Sequence, residues 1–199
     1  MKNYCTIYLT RHGETEWNVK RIVQGQSDIP LNKNGELQAQ QLGEQFKSMS
    51  FEAVFSSDLI RAKRSAEIIV LEKKLAVITT KALRERLFGR FEGKHIDELR
   101  KVLGELMTIS KEKQKELLLQ DVENDEDVVA RLIPFVREVA VAYPGKNILM
   151  VTHGGLMRAF LSHIDFKIPE YSDSPMKNAG YLIIESDGVE IKIKEERLF

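Results

Sequence analysis

The chain has 199 residues, 43% of them hydrophobic, enough to bury one sizeable core and short for two, so a single domain over 1–199 is expected. Lysine plus arginine and aspartate plus glutamate balance at 30 each, so no global field draws the protein to nucleic acid or to an anionic membrane, and any anion site must be local. Cys5 is the one cysteine, which excludes an intramolecular disulfide; with no apolar segment resembling a signal or a membrane span, a cytoplasmic protein is expected.

The first apolar run, YCTIYLT, breaks abruptly into the polar RHGETEWN, as a buried strand does on reaching a site-bearing loop. After a Gly- and Pro-punctuated loop, Asn32 is placed to cap a helix whose apolar positions include Leu37, Leu42 and Phe46, with Gln41 the exception. AVFSS reads as a second strand, Asp58 to Lys74 as a helix with Leu59, Ala62, Ala66, Ile69 and Val70 on one side, and LAVITT as a third strand. Residues 89–127 are weakly patterned and charge-rich, and are expected to form a small cap or insertion; the KEKQKE run within them reads as a solvated face. Asn124 and the acids after it start a helix carrying Val128, Val129, Leu132, Val136, Val139 and Tyr143. Pro134 removes an interior donor, so that helix either kinks or begins later. NILMVTH is the most strand-like run, LMRAFLSHI a helix directly after it, and GYLIIES and VEIKIKEE a closing hairpin turned at Asp187-Gly188. Strands alternating with helices imply an α/β fold with a mainly parallel sheet covered on both faces and antiparallel pairing at one edge. Ligands collect beyond the carboxyl ends of such strands, where the clusters around His12 and His153 both fall.

In TRHGETEWN an imidazole stands beside a guanidinium on one turn at a strand end, and the glycine permits close backbone approach. Arginine offers a planar fork matched to phosphate oxygens, and a neutral imidazole nitrogen can attack phosphorus. A lone Arg-His pair is weak, but VTHGGLMRAF repeats the arrangement, with glycines opening a helix whose backbone donors favour an anion. SSDLIRAKRSAE places Arg61 about one turn into a helix after another strand, and in ALRERLFGRFEG Glu85 or a neighbour supplies a carboxylate after LAVITT.

Together LTRHGETEWN with VQGQSDIPLN, SSDLIRAKRSAE, LRERLFGRFEG and VTHGGLMR, in this order over residues 7–158, resemble the histidine phosphatase superfamily in its phosphoglycerate mutase-like branch. The resemblance implies a three-layer α/β/α sandwich with a mainly parallel mixed sheet and a small helical cap. It implies that His12 is phosphorylated, that Arg11, Arg61 and His153 bind the phosphoryl group, and that Glu85 serves as acid and base. It further implies substrate contacts from Asn18, Gln24 and Gly25 and a backbone donor at Gly154. The chemistry then needs no metal and no cofactor, and the expected partner is a small phosphorylated metabolite rather than nucleic acid or membrane; no pattern specifies an oligomeric state.

Glu14 and Glu16 are expected to serve local hydrogen bonding or solvent exposure, Trp17 to anchor packing, and His95 and His163 to lie at the surface. The rivals to a phosphatase of small monoesters are a cofactor-dependent phosphoglycerate mutase, a two-histidine metal hydrolase and a non-catalytic phosphate-binding regulatory module. The segment from Lys94 to Asp125 lacks the paired-arginine, proline-rich stretch associated with the mutases, which favours hydrolysis. Glu123-Asn124-Asp125 stands where family members often carry Gly-Glu-Ser, a departure that bears on cap contacts and substrate identity.

Overall fold

A computed structural model describes residues 3–106, 122–166 and 176–198. In chain order the elements are β1 (Cys5–Arg11), the one-turn α1 (Glu16–Val19), α2 (Lys33–Gln45), β2 (Ala53–Ser57), α3 (Ile60–Ile69), β3 (Val77–Thr80), α4 (Ile96–Leu106), α5 (Asp125–Ala142), β4 (Asn147–Thr152), α6 (Gly154–His163), β5 (Tyr181–Ser186) and β6 (Ile191–Arg197). The strands form one sheet in the order β3-β2-β4-β1-β5-β6. β1, β2, β3 and β4 run parallel, and the closing hairpin adds β5 and β6 antiparallel at the β1 side.

Alternation along the strands makes the three layers. Ile7 and Leu9 of β1, with Ile148 and Met150 of β4, join a core beneath α5 and α6, while Tyr8, Leu149 and Val151 join a second core beneath α2 and α3. A satellite cluster of Val23, Phe91 and Leu99, backed by Phe88, Ile96, Val102 and Val122, seats α4 on the loop after α1. Of the expected cap, residues 107–121, which include KEKQKE, lie outside the described residues.

Helix starts follow the side-chain chemistry. Asn32 Oδ1 accepts from Gly35 N at 2.8 Å and Asn124 Oδ1 from Asp127 N at 2.8 Å, each satisfying an orphan donor of a first turn. α5 runs through Pro134 rather than beginning after it. Two details differ from the sequence reading. The buried stripe of α2 is Gly35, Ala39, Leu42 and Phe46, and Leu37, two residues from that stripe and so on the far side, is 49% exposed. The helix expected through Lys74 ends at Ile69, where Ile68, Ile69 and Val70 are three β-branched residues in succession; a 3-10 turn and a left-handed Lys74 (φ 55°) then redirect the chain.

Candidate active site

The register of the sheet brings the two histidines together. Arg11 pairs with Thr152 at the ends of β1 and β4, and the His12 N–H extends the ladder by donating to Thr152 O at 2.9 Å. His12 and His153 therefore leave neighbouring strand ends side by side, their ring centroids 5.1 Å apart and both side chains buried. His12 Nδ1 lies 2.6 Å from Gly13 O. A carbonyl only accepts, so Nδ1 carries the proton and Nε2 keeps its lone pair, toward which Arg61 Nε donates at 3.3 Å. Ser65 fixes the turn: its Oγ accepts from Gly13 N at 3.0 Å and donates to Arg61 O at 2.7 Å.

Arg61 is fully buried and also donates to Ser27 O (2.8 Å) and Gly25 O (2.7 Å). Arg11 donates from Nη1 to Met176 O, while its Nε is buried without a partner. Gly154, opening α6, admits this guanidinium, because a Cβ there would stand 3.3 Å from Arg11 Nε. Both ring nitrogens of His153 are likewise buried and unpartnered. Burial, and then the Arg61 and Arg11 charges, hold His12 well below the usual imidazole range. Burial does the same to His153, reinforced by Arg61, His12 and Arg11. The same burial brings each guanidinium down to about 10, still protonated at neutral pH. The result is two fixed cations and two neutral imidazoles around unsatisfied nitrogen donors, a receptor for a tetrahedral dianion facing a nucleophilic nitrogen.

Glu85 follows β3 by way of a 3-10 turn and is buried against the start of α6. Its Oε1 accepts from Arg86 N (2.8 Å) and Leu156 N (2.9 Å), and its Oε2 from Gly155 N (3.0 Å). The flanking arginines take other acids: Arg84 forks onto Asp58 with both bonds at 2.7 Å, and Arg86 pairs with Asp125. Gln26 Nε2 and Arg131 Nη2 donate to the Glu85 carbonyl at 3.2 Å, and Arg131 is itself held by Glu123. In the turn that departs from the family pattern, Glu123 thus holds Arg131 and Asn124 caps α5.

Gln24 is buried with its Oε1 unpartnered, and Gly25 takes φ 51° while giving its carbonyl to Arg61. Asn18 is less directly placed. Its Oδ1 accepts from Thr15 N at 3.1 Å and from Asn178 Nδ2 at 3.3 Å, and Asn178 in turn donates to His12 O at 3.1 Å. Ser65, Met176, Asn178, Asp58 and Arg131 escaped the sequence reading, because their contacts join segments far apart in the chain. His95 and His163 are exposed and away from the strand ends, Glu14 accepts from Asn32 and Asn34, and Trp17 packs toward Gly93. Among the described residues, no three or more His, Cys, Asp or Glu gather as a metal ion requires, and no helix is long and apolar enough to cross a membrane.

The histidine phosphatase superfamily (branch 1) model matches residues 7–197. The chain belongs to this superfamily. A Bacillus subtilis relative, an uncharacterized phosphatase named PhoE, is 34% identical over 189 residues, 95% of this chain and 92% of that protein. A probable phosphoglycerate mutase, GpmB, from Klebsiella pneumoniae subsp. pneumoniae is 47% identical over 93 residues, which span 47% of this chain and 43% of that protein. The crystal structure of phosphoglycerate mutase from Bacillus anthracis str. Sterne is 26% identical and matches with a TM-score of 0.83 over 98% of this chain and 93% of that one. This histidine phosphatase superfamily member therefore has the phosphoglycerate mutase-like sandwich expected of it, on a scaffold shared by proteins named for hydrolysis and for mutase activity.

Proposed function

We propose that the protein is a metal-independent phosphatase of small phosphate monoesters that works through a phosphohistidine on His12. The observation that carries this reading is the pairing of a neutral His12, its Nε2 lone pair directed into the site, with unpartnered nitrogens of Arg11 and His153 and the buried Arg61 charge. Arg11 and Arg61 neutralise a monoester dianion. When it enters, a phosphoryl oxygen takes over the Arg61 Nε–H that now lies 3.3 Å from His12 Nε2 and frees the lone pair, the guanidinium staying held on Ser27 O and Gly25 O. Nε2 attacks phosphorus in line as the ester bond breaks, and Glu85, as general acid, gives a proton to the departing oxygen. In the second half Glu85, now a carboxylate, takes a proton from water as that water attacks phosphorus and the P–N bond breaks; His12 and inorganic phosphate are released. Arg11, Arg61 and His153 stabilise the equatorial oxygens throughout. Gln24 and Gly25 border the substrate, with Asn18 and the start of α6 at Gly154 completing the rim.

Hydrolysis is favoured over mutase chemistry by a cap sequence without the paired arginines associated with mutases. The same reading makes residues 1–199 one cytoplasmic domain with 89–127 as its cap, acting on a phosphorylated metabolite such as a sugar phosphate or phosphoglycerate. Acid-quench labelling with a phosphorylated substrate tests the intermediate: the wild type retains label, His12→Ala retains none, and a labelled variant removes His12 from its role. A screen of phosphorylated metabolites, run with excess chelator, tests substrate class and metal independence together. Phosphoryl exchange between phosphoglycerates faster than phosphate release would establish the mutase reading instead.

A further inference from the structure

Glu92, in the FEG that ends the third motif, has no part in the chemistry above, yet its carboxylate gathers the loop that anchors Arg61. Oε1 accepts from Gln26 N at 3.0 Å and Phe88 N at 3.1 Å; Oε2 accepts from Ser27 N at 3.0 Å and Ser27 Oγ at 2.8 Å. The Gly25-Gln26 peptide is held from both ends, since its carbonyl accepts from Arg61 Nη2 at 2.7 Å while its N–H donates to Glu92. Cation, peptide dipole and anion lie in series, an arrangement in which each hydrogen bond polarises the next. Gly25 is indispensable to this contact, because a Cβ there would overlap Glu92 Oε1, and its φ of 51° suits glycine. Backbone bonds between Val23 and both Gly93 and Lys94 join the same loop to the segment carrying Glu92.

We propose that Glu92 is a positioning residue: through the Gly25-Gln26 peptide it fixes the direction in which Arg61 presents its guanidinium to the phosphoryl group. The proposal rests on Arg61 binding that group. A carboxamide at this position offers one acceptor oxygen where the carboxylate offers two, and it removes the negative end of the series. Hydrogen bonds to charged groups are worth enough that Glu92→Gln should weaken inorganic phosphate binding, followed by 31P NMR titration, about ten- to a hundredfold, with kcat/KM on a chromogenic monoester falling in parallel. Phosphate binding needs no turnover, so an inactive wild type would count against the phosphatase reading and leave this measurement intact. Glu92→Asp, which keeps the charge but is one methylene short, should recover part of the loss and serves if the glutamine variant does not fold. The decisive readout is a double-mutant cycle on phosphate affinity with Arg61→Lys. If Glu92 acts through Arg61, the Glu92→Gln effect shrinks to about twofold or less in the lysine background. Full additivity, or wild-type phosphate affinity in folded Glu92→Gln, would overturn the proposal.

Discussion

His12 is neutral because burial and the neighbouring guanidinium charges oppose a third positive charge in the same pocket, so its nitrogen needs no base to expose a lone pair. By NMR, neither the His12 nor the His153 ring signal should titrate between pH 8 and 6; a midpoint near 6.5 for either would contradict the packing described. Glu85 has its carboxyl held by backbone donors at the start of α6. On the proposed mechanism Glu85→Gln removes the proton shuttle and should slow turnover by about two to four powers of ten, while inorganic phosphate binds within a few fold of wild type. A variant that loses both equally would place Glu85 in binding rather than in proton transfer. Of these roles the motif registers announced His12, Arg61 and Glu85, but the tautomer of His12 depends on Gly13 O and the immobilisation of Arg61 on Gly25 and Ser27.

At the scale of elements, the ends of strands and the starts of helices do the positioning. Asn124 accepts from the first turn of α5, so Asn124→Ala should cost about 1 kcal/mol in denaturant melts. Gly35, in the first turn of α2, is a contrasting case. Its backbone presses on Gly13 and Glu14 so closely that a Cβ on Gly35 would overlap Glu14 O, and one on Gly13 would overlap Gly35 O. Gly35→Ala should therefore lower stability and turnover together, by displacing the His12 turn, and a destabilised variant with undiminished kcat would show that the turn absorbs the shift. Element types were legible wherever periodicity was strong, as in β1, β4 and α5. The end of α3 and the outward Leu37 were not, because three-dimensional packing selects which near-helical stripe is buried.

For the whole molecule, two buried neutral imidazoles couple stability to pH. Both side chains have folded pKa values below the ordinary 6.5, so the unfolded chain takes up protons first as the solution acidifies. Their contribution is complete above about pH 7 and is lost as pH falls through 6.5 and below. Denaturation midpoints should drop between pH 7.5 and 5.5, and less so in His153→Gln, which cannot be protonated. A midpoint that rises over that interval would reverse the sign. A ligand that binds only the folded state works in the other direction: inorganic phosphate at about a hundred times its Kd should add about 2.7 kcal/mol at pH 7.5.

The sequence by itself determined the candidate site residues and the alternation of elements, because a parallel α/β fold writes its strands as apolar runs and the residues of its candidate site immediately after them. What only the tertiary structure decided is which strand ends are neighbours and which distant groups hold the reacting ones. β1 and β4 are separated by most of the chain, yet their pairing sets the two imidazoles 5.1 Å apart. Glu92, Ser65 and Asn178 reach the site through hydrogen bonds to backbone atoms, and such bonds leave no periodic or compositional trace because every residue offers the same peptide group.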